Sequence, residues 1–406
     1  RHYHNLLGFL GKLGATASLT PISDYRILTL DGPEYSFADI QTTPVLNLLS
    51  MLQKKVYTIG DILKNPRTMQ LAHLLAYHPE KTFERFDHVS FERFANDLRL
   101  PKSLRLMFNS FSRAFFSSPS DMSTAELIKS FHFFFLSHDG GLIYDYPDDS
   151  YELSLLAPME KRLEQHGAKI HLGKAIGAIG VQGDKYRVAG KVFDYVVLAS
   201  DVVGSRRIAN NSPDLITRFP VLSRKLGGLR NTQRYSVLRL WVDRRVERDL
   251  PGFVITDLSE LLDSVSFYER LEKSSTAWAK KNGGSVLELH SYAVPDHLPD
   301  EAAVRRQFIE ELFGYFPELR GMKILGEHMQ LKSDFTALHT GLYSSRPEVE
   351  TEAPGLVLAG DWVKLPFPAM LMEAACSAGL LAANKLLTLQ GRQEVQLYPV
   401  PPAGRL

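Results

Sequence analysis

Two rhythms of apolar positions follow one another along the chain. Over about the first 150 residues they recur at helical spacing, and many are aromatic. The spacing predicts helices over residues 44–56, 66–78 and 103–117. The last carries Leu104, Met107, Phe108, Phe111, Phe115 and Phe116, with Lys102, Arg105 and Arg113 between them. Ser123-Thr124-Ala125-Glu126 has the form of a capping box and predicts an apolar helix over 125–136. From residue 151 the rhythm changes. A helix bearing Leu153, Leu156, Met159 and Leu163 is predicted to stop at His166-Gly167, with glycine just past its end. Strand-like segments follow at Ala168–Leu172, Ala175–Val181, Lys185–Val188 and Val192–Ala199, and the run Phe193–Ser200 reads as a buried strand. Alternation over 233–242 predicts a strand pairing antiparallel with 285–294, and 301–316 an amphipathic helix. The chain then reads as strand (Gly355–Ala359), turn (Gly360 to Pro368) and helix (from about Ala369 to Leu387).

Composition narrows the function classes. The 406 residues carry 47 Lys plus Arg against 46 Asp plus Glu, a formal charge of +1, which offers nucleic acid no electrostatic footprint. Hydrophobic residues at 44% and charged residues at 23% describe a folded globular chain. A single cysteine, Cys376, excludes a disulfide framework and multi-cysteine metal sites, and within an apolar helix it reads as a packing residue. The longest aromatic run, Phe131–Leu136, is far short of the ~18 residues that span a bilayer. No signal peptide opens the chain, which begins Arg1-His2-Tyr3-His4 and reads as a fragment or processed form.

The C-terminal unit carries the chemistry. The strand Leu356-Val357-Leu358-Ala359 ends in Gly360-Asp361-Trp362, and the helix after Pro366 and Pro368 is crowded with small residues. Glycine there lets another molecule approach the backbone. The helix start supplies free N–H groups and a positive dipole end, which suits a flavin edge that gains negative charge on reduction. Asp361 is placed to accept hydrogen bonds from a sugar or ribityl chain. The bland alternative is a βα unit with a well-packed core helix.

This stretch resembles the C-terminal FAD-binding signature of the phytoene desaturase and amine oxidase superfamily. Gly360-Asp361-Trp362-Val363-Lys364-Leu365-Pro366-Phe367-Pro368-Ala369 is similar to its carotene desaturase/methyltransferase branch, of isorenieratene-synthase type. Ser112–Phe116, Ser123–Leu127, Phe131–Leu136 and Leu287–Pro295 have counterparts in that branch. The resemblance implies an α/β, two-domain FAD-dependent oxidoreductase: a glutathione reductase-like FAD domain joined to a mixed-sheet and helical substrate domain. It implies that Gly360, Asp361, Trp362, Met370, Leu371, Met372, Glu373 and Ala374 hold FAD. It also implies that Phe115, Phe116, Phe133, Phe134 and Phe367 line an apolar substrate site. The expected boundaries are 1–150 (helical, aromatic cap), 151–203 (FAD-domain segment), 204–334 (substrate-domain sheet and helices), 335–390 (C-terminal FAD segment) and 391–406 (tail). Two departures stand out. No Gly-x-Gly-x-x-Gly turn occurs, so the chain is expected to begin just downstream of the superfamily's N-terminal βαβ module. Asp148-Asp149 stands where many relatives have Gly-Gly.

The implied function is oxidation of a carotenoid, by desaturation with methyl migration that turns a β-ionone ring into an aromatic end group. The alternatives are a desaturase or isomerase of an acyclic carotene, an amine oxidase, and a non-catalytic carotenoid- or lipid-binding protein. No catalytic residue and no metal site is assigned. The 13 histidines contain no His-x-x-x-His pattern; His2, His4, His138 and His290 read as structural, and Arg206-Arg207 as a solvated turn. Peripheral contact with a carotenoid-containing membrane is expected, on the cytoplasmic or plastid-stromal side, with Lys102, Arg105 and Arg113 on lipid headgroups.

Overall fold

A computed structural model of the chain describes residues 1–22, 24–36, 38, 42–44, 46, 75–100, 105, 108, 112–141, 143–257 and 260–404. Most of the predicted helices 44–56 and 66–78, and Lys102, Leu104, Met107 and Phe111, lie outside the described residues.

A seven-stranded sheet organises the middle of the chain. Its strands are β2 (Arg26–Leu28), β3 (Tyr35–Ser36), β9 (Tyr235–Val242), β10 (Phe253–Thr256), β11 (Ser264–Phe267), β12 (Ser285–Ser291) and β13 (Ile324–Lys332), in the order β13-β9-β12-β11-β10-β2-β3. Only the β10–β2 pair is parallel. The predicted antiparallel pairing is present, with Ser285 opposite Val242 and Ser291 opposite Ser236. Alternation decides which face is buried: Ser236, Leu238, Leu240 and Val242 point inward, the apolar three onto Phe308, Leu312 and Phe316. The opposite face carries Arg239, Glu288 and His290, joined into one polar network. There Arg239 and His290 overcome the cost of burial and hold the Glu288 carboxyl at about 2.

A second unit is nucleated by two short parallel strands, β8 (Val196–Leu198) and β14 (Leu356–Leu358), in direct register. The meander β5 (Ile179–Gln182), β6 (Lys185–Val188) and β7 (Lys191–Phe193) adjoins them, and β1 (Leu19–Pro21) pairs separately with β4 (Asp145–Pro147). Several expectations change here. Ala168–Leu172 forms no strand, and the predicted run 192–199 divides between two sheets. Asp194 marks the break, its carboxylate 2.7 Å from the Lys185 amine. Of β8 only Leu198 is buried; Val197 is 44% exposed. The helix stop at His166-Gly167 is present, with Gly167 at φ 73° and the Ala168 N–H donating to the Leu163 carbonyl. Its apolar residues Leu153, Leu156 and Leu163 nevertheless lie on the surface.

Four helices position the site: α1 (His4–Lys12), α2 (Thr124–Phe131, continuing as a wider turn through His132–Leu136), α3 (Glu301–Tyr315) and α4 (Leu371–Leu389). Ser123 caps α2 by accepting from the Glu126 N–H, as the capping pattern predicts. The third core cluster is the aromatic one. Phe83, Phe91, Phe94, Phe108, Phe115 and Phe131 to Phe135 close around α2 and pack onto Ala369, Met370 and Ala374 at the start of α4. No helix among the described residues is long and apolar enough to cross a membrane.

Candidate functional site

The ends of β8 and β14 are locked together before the turn begins. Trp362 is 1% exposed, and its indole N–H donates to the Ser200 carbonyl at 2.9 Å. Gly360 sits at φ 143°, and a Cβ there would lie 2.5 Å from the indole nitrogen, so no other residue fits under this ring. Trp362 is thus the floor of the turn, with its polar atom spent inside the protein. Asp361 stands above it. Its Oδ1 accepts from the Thr336 hydroxyl at 3.0 Å, and burial raises its carboxyl above the ordinary value, against the pull of Thr336 and Arg346.

Arg346 holds the turn from behind. Its Nε donates to the Trp362 carbonyl at 3.1 Å, and its Nη2 to the carbonyls of Asp361 and Val363 at 2.9 and 3.4 Å. Its Nη1 reaches the Glu126 carboxylate at 3.0 Å. Glu126 in turn pairs with Lys129 one turn along α2. All three side chains are buried. Burial opposes charge on Glu126, but Lys129 and Arg346 outweigh it and hold the carboxyl below its usual range. Burial pulls the Lys129 amine below its usual value, against the attraction of Glu126.

The start of α4 is the other half of the site. Met370 precedes it, no side chain caps it, and Leu371 takes φ 51°, turning the chain sharply into the helix. The Glu373 and Ala374 N–H groups donate to the Met370 carbonyl at 3.1 and 3.2 Å, which leaves those of Leu371 and Met372 for a ligand. Two small cavities meet here, of about 20 and 30 Å³. Lys129, Arg346, Asp361, Ala369 and Ala374 line both; Phe367, Tyr77 and Tyr343 complete one, Phe115, Phe116 and Phe335 the other. Each holds no more than a water or two, so a ring enters only if the walls part. Phe116 forms much of the aromatic wall: it sits at φ 57°, stacks on Phe335 with ring centroids 3.7 Å apart, and meets Tyr235 and Tyr292 edge-on.

The predicted cofactor residues thus divide. Gly360, Asp361, Met370, Leu371 and Ala374 gather at the cavities or their backbone. Met372 faces solvent. Glu373 points the other way: its carboxylate accepts from the N–H groups of Asn5 and Leu6 at 3.0 and 2.9 Å, anchoring α1 at its positive end. Of the aromatic residues, Phe115, Phe116 and Phe367 line the cavities, whereas Phe133 and Phe134 pack against His2. Arg113 is committed internally, forked onto the buried Asp263 carboxylate at 2.5 and 3.0 Å, which takes it from the lipid-facing set. Cys376 lies on α4, its thiol pushed up to about 12 by burial and by Glu373. Lys129 and Arg346 escape sequence reasoning: a charged Glu-x-x-Lys pair inside an apolar helix was the only local signal, and Ser-Ser-Arg-Pro gave none.

A flavin fits these residues. The turn offers a half-buried carboxylate, and the helix start offers N–H groups that no side chain caps, where negative charge develops on reduction.

Comparison with known proteins agrees with this geometry. The family of flavin containing amine oxidoreductases matches residues 1–387. A carotenoid phi-ring synthase of Streptomyces griseus is 33% identical over 419 aligned residues, covering 100% of this chain and 79% of its own. A second carotenoid phi-ring synthase, from Chlorobaculum tepidum, is 35% identical over 213 residues, 52% of this chain and 32% of its own. Among solved structures, cyclohexylamine oxidase from Brevibacterium oxydans superposes with a TM-score of 0.61 at 13% identity, covering 96% of this chain and 86% of its own, which speaks for the fold.

Proposed function

Because the chain belongs to the flavin-containing amine oxidoreductase family, we propose that it is an FAD-dependent enzyme that oxidises a carotenoid, converting a cyclic end group into an aromatic ring by dehydrogenation and migration of one methyl group. The observation that carries this reading is the similarity of the whole of this chain to 79% of a carotenoid phi-ring synthase, supported by an aromatic-walled cavity beside the Gly360–Asp361 turn.

Bound flavin supplies a two-electron acceptor for hydride. The protein's part is to hold and shield. Asp361 would hold the cofactor's sugar-alcohol chain, and the start of α4 would stabilise the flavin edge that gains negative charge on reduction. Once the cavity walls part to admit it, Phe115, Phe116 and Phe335 enclose the end group and exclude water from a ring that has lost hydride, and their faces stabilise its positive charge. A methyl group then shifts to the adjacent electron-poor carbon, proton loss restores neutrality, and a second dehydrogenation, again by loss of a hydride and a proton, completes the aromatic ring. The polyene is delivered from a bilayer by peripheral contact, so flotation with liposomes is the matching assay.

The test is product analysis. Cells that accumulate a carotene with β-ionone rings, given this protein with any upstream segment its gene encodes, are expected to make carotenoids with aromatic end groups, identified by mass and proton NMR. Unchanged carotene co-purifying with the protein would favour the non-catalytic binder. Added double bonds in an acyclic carotene would favour the desaturase.

A further inference from the structure

Dehydrogenation removes a hydride and a proton, and the family's cofactor accounts only for the hydride. The proton needs a base at the ring. Among the described residues lining the two cavities, few groups can accept one. Arg346 keeps its charge under all conditions. Lys364 lines only the cavity away from Phe115, Phe116 and Phe335, with its Nζ 4.7 Å from the Tyr343 ring centroid. Tyr77 and Tyr343 are neutral phenols whose ionisation is pushed upward by burial. Asp361 bonds Thr336 and stands over the turn assigned to the cofactor.

Lys129 differs from all of these. It is 8% exposed and lines both cavities, together with Asp361 of the turn. Phe83 covers its other side, with the ring centroid 6.0 Å from Nζ. Its charged surroundings are Glu126 on its own helix, Arg346 on the segment behind the turn, and Asp87 beyond the helix Pro79–Phe86. One carboxylate, Glu126, therefore serves two cations at close range. Loss of a proton from Lys129 leaves a neutral Glu126–Arg346 pair and removes the Lys129–Arg346 repulsion.

We propose that Lys129 is the catalytic base that takes the ring proton during carotenoid oxidation, an inference that rests on the functional reading above. The ring gives up a hydride, two electrons and a proton, to the flavin and becomes an allylic cation. After the methyl shift, a C–H bond beside the cationic carbon breaks. Its electron pair forms the new C=C bond, and the proton goes to the lone pair of Nζ. Lys129 becomes an ammonium ion beside the Glu126 carboxylate, and release of that proton to water resets it.

The experiment compares wild type, K129R and K129M, each loaded with FAD. K129R keeps the cation and its carboxylate partner but cannot act as a base; K129M keeps the bulk without charge. Both are expected to bind flavin as wild type does and to slow ring oxidation by about 10²- to 10⁴-fold, the usual contribution of a general base. A ¹⁵N-lysine NMR titration of the loaded wild type, with K129M assigning the signal, is expected to show an amine that titrates below the ordinary lysine range. K129R oxidising the ring at the wild-type rate, or a Lys129 signal that stays ammonium at alkaline pH, overturns the proposal. Wild-type protein that holds flavin and oxidises no ring overturns the functional reading itself, a result distinct from an active K129R.

Discussion

Replacing Arg346 with Met tests whether the turn at Gly360–Asp361 is held from behind. The substitution removes three hydrogen bonds to the carbonyls of Asp361, Trp362 and Val363 and the 3.0 Å ion pair to Glu126. Removing one partner of a buried pair costs about 3–5 kcal/mol, because the other charge is left without compensation. Lys129 still faces Glu126 after the change, which moves the cost to the lower end, about 3 kcal/mol. With a urea m-value of about 3 kcal/mol/M, the unfolding midpoint falls by about 1 M. R346K restores a point charge without the fork and should recover part of the loss. Flavin affinity should fall in parallel, since the carbonyls that shape the turn lose their donors. The pH dependence follows from Glu126. Its carboxyl is held below the ordinary range, so the stabilisation is complete above the unfolded value and is lost as pH falls through the folded one. E126Q should lack that acid-sensitive component. A wild-type midpoint and wild-type flavin affinity in R346M would refute the reasoning.

Three further changes probe other parts of the account. Asp361→Ala removes a hydrogen bond to a polar cofactor chain, worth roughly 1.5–3 kcal/mol, and should weaken FAD by about 10- to 150-fold in fluorescence titration; because Thr336 also loses its acceptor, the apo-protein melting temperature should fall as well. Glu373→Gln weakens the anchor of α1 at Asn5 and Leu6, so limited proteolysis should cut within residues 1–12 sooner while flavin affinity is kept. Arg113→Ala strands the Asp263 carboxylate, 4% exposed, and should cost about 3–5 kcal/mol in urea unfolding, with no effect on liposome flotation.

Much of this architecture is legible in local pattern. Period-two alternation marks β9, Ser123 marks the start of α2, and Gly167 marks a helix end, because in each case the deciding pattern lies within a few residues. Where partners are distant the reading fails. The run 192–199 looks like one strand, but pairing of 196–198 with 356–358 and a lysine contact at Asp194 divide it. Glu373 reads as a cofactor residue from its place on the first turn of α4, yet its carboxylate serves α1, more than 360 residues earlier in the chain. Arg113 reads as a surface base, and a carboxylate 150 positions away claims it. Arg346 shows the same limit most sharply, since its carbonyl and carboxylate partners meet only once α2 packs against the turn.

The central claim is that the turn and the aromatic chamber together serve flavin-dependent oxidation of a carotenoid ring. Anaerobic mixing of the FAD-loaded protein with a β-ionone carotenoid in lipid vesicles tests it most directly. The account predicts that the flavin's visible absorbance bleaches while a dehydrogenated carotenoid forms in equal amount. A flavin that stays oxidised while the carotenoid binds unchanged would contradict it.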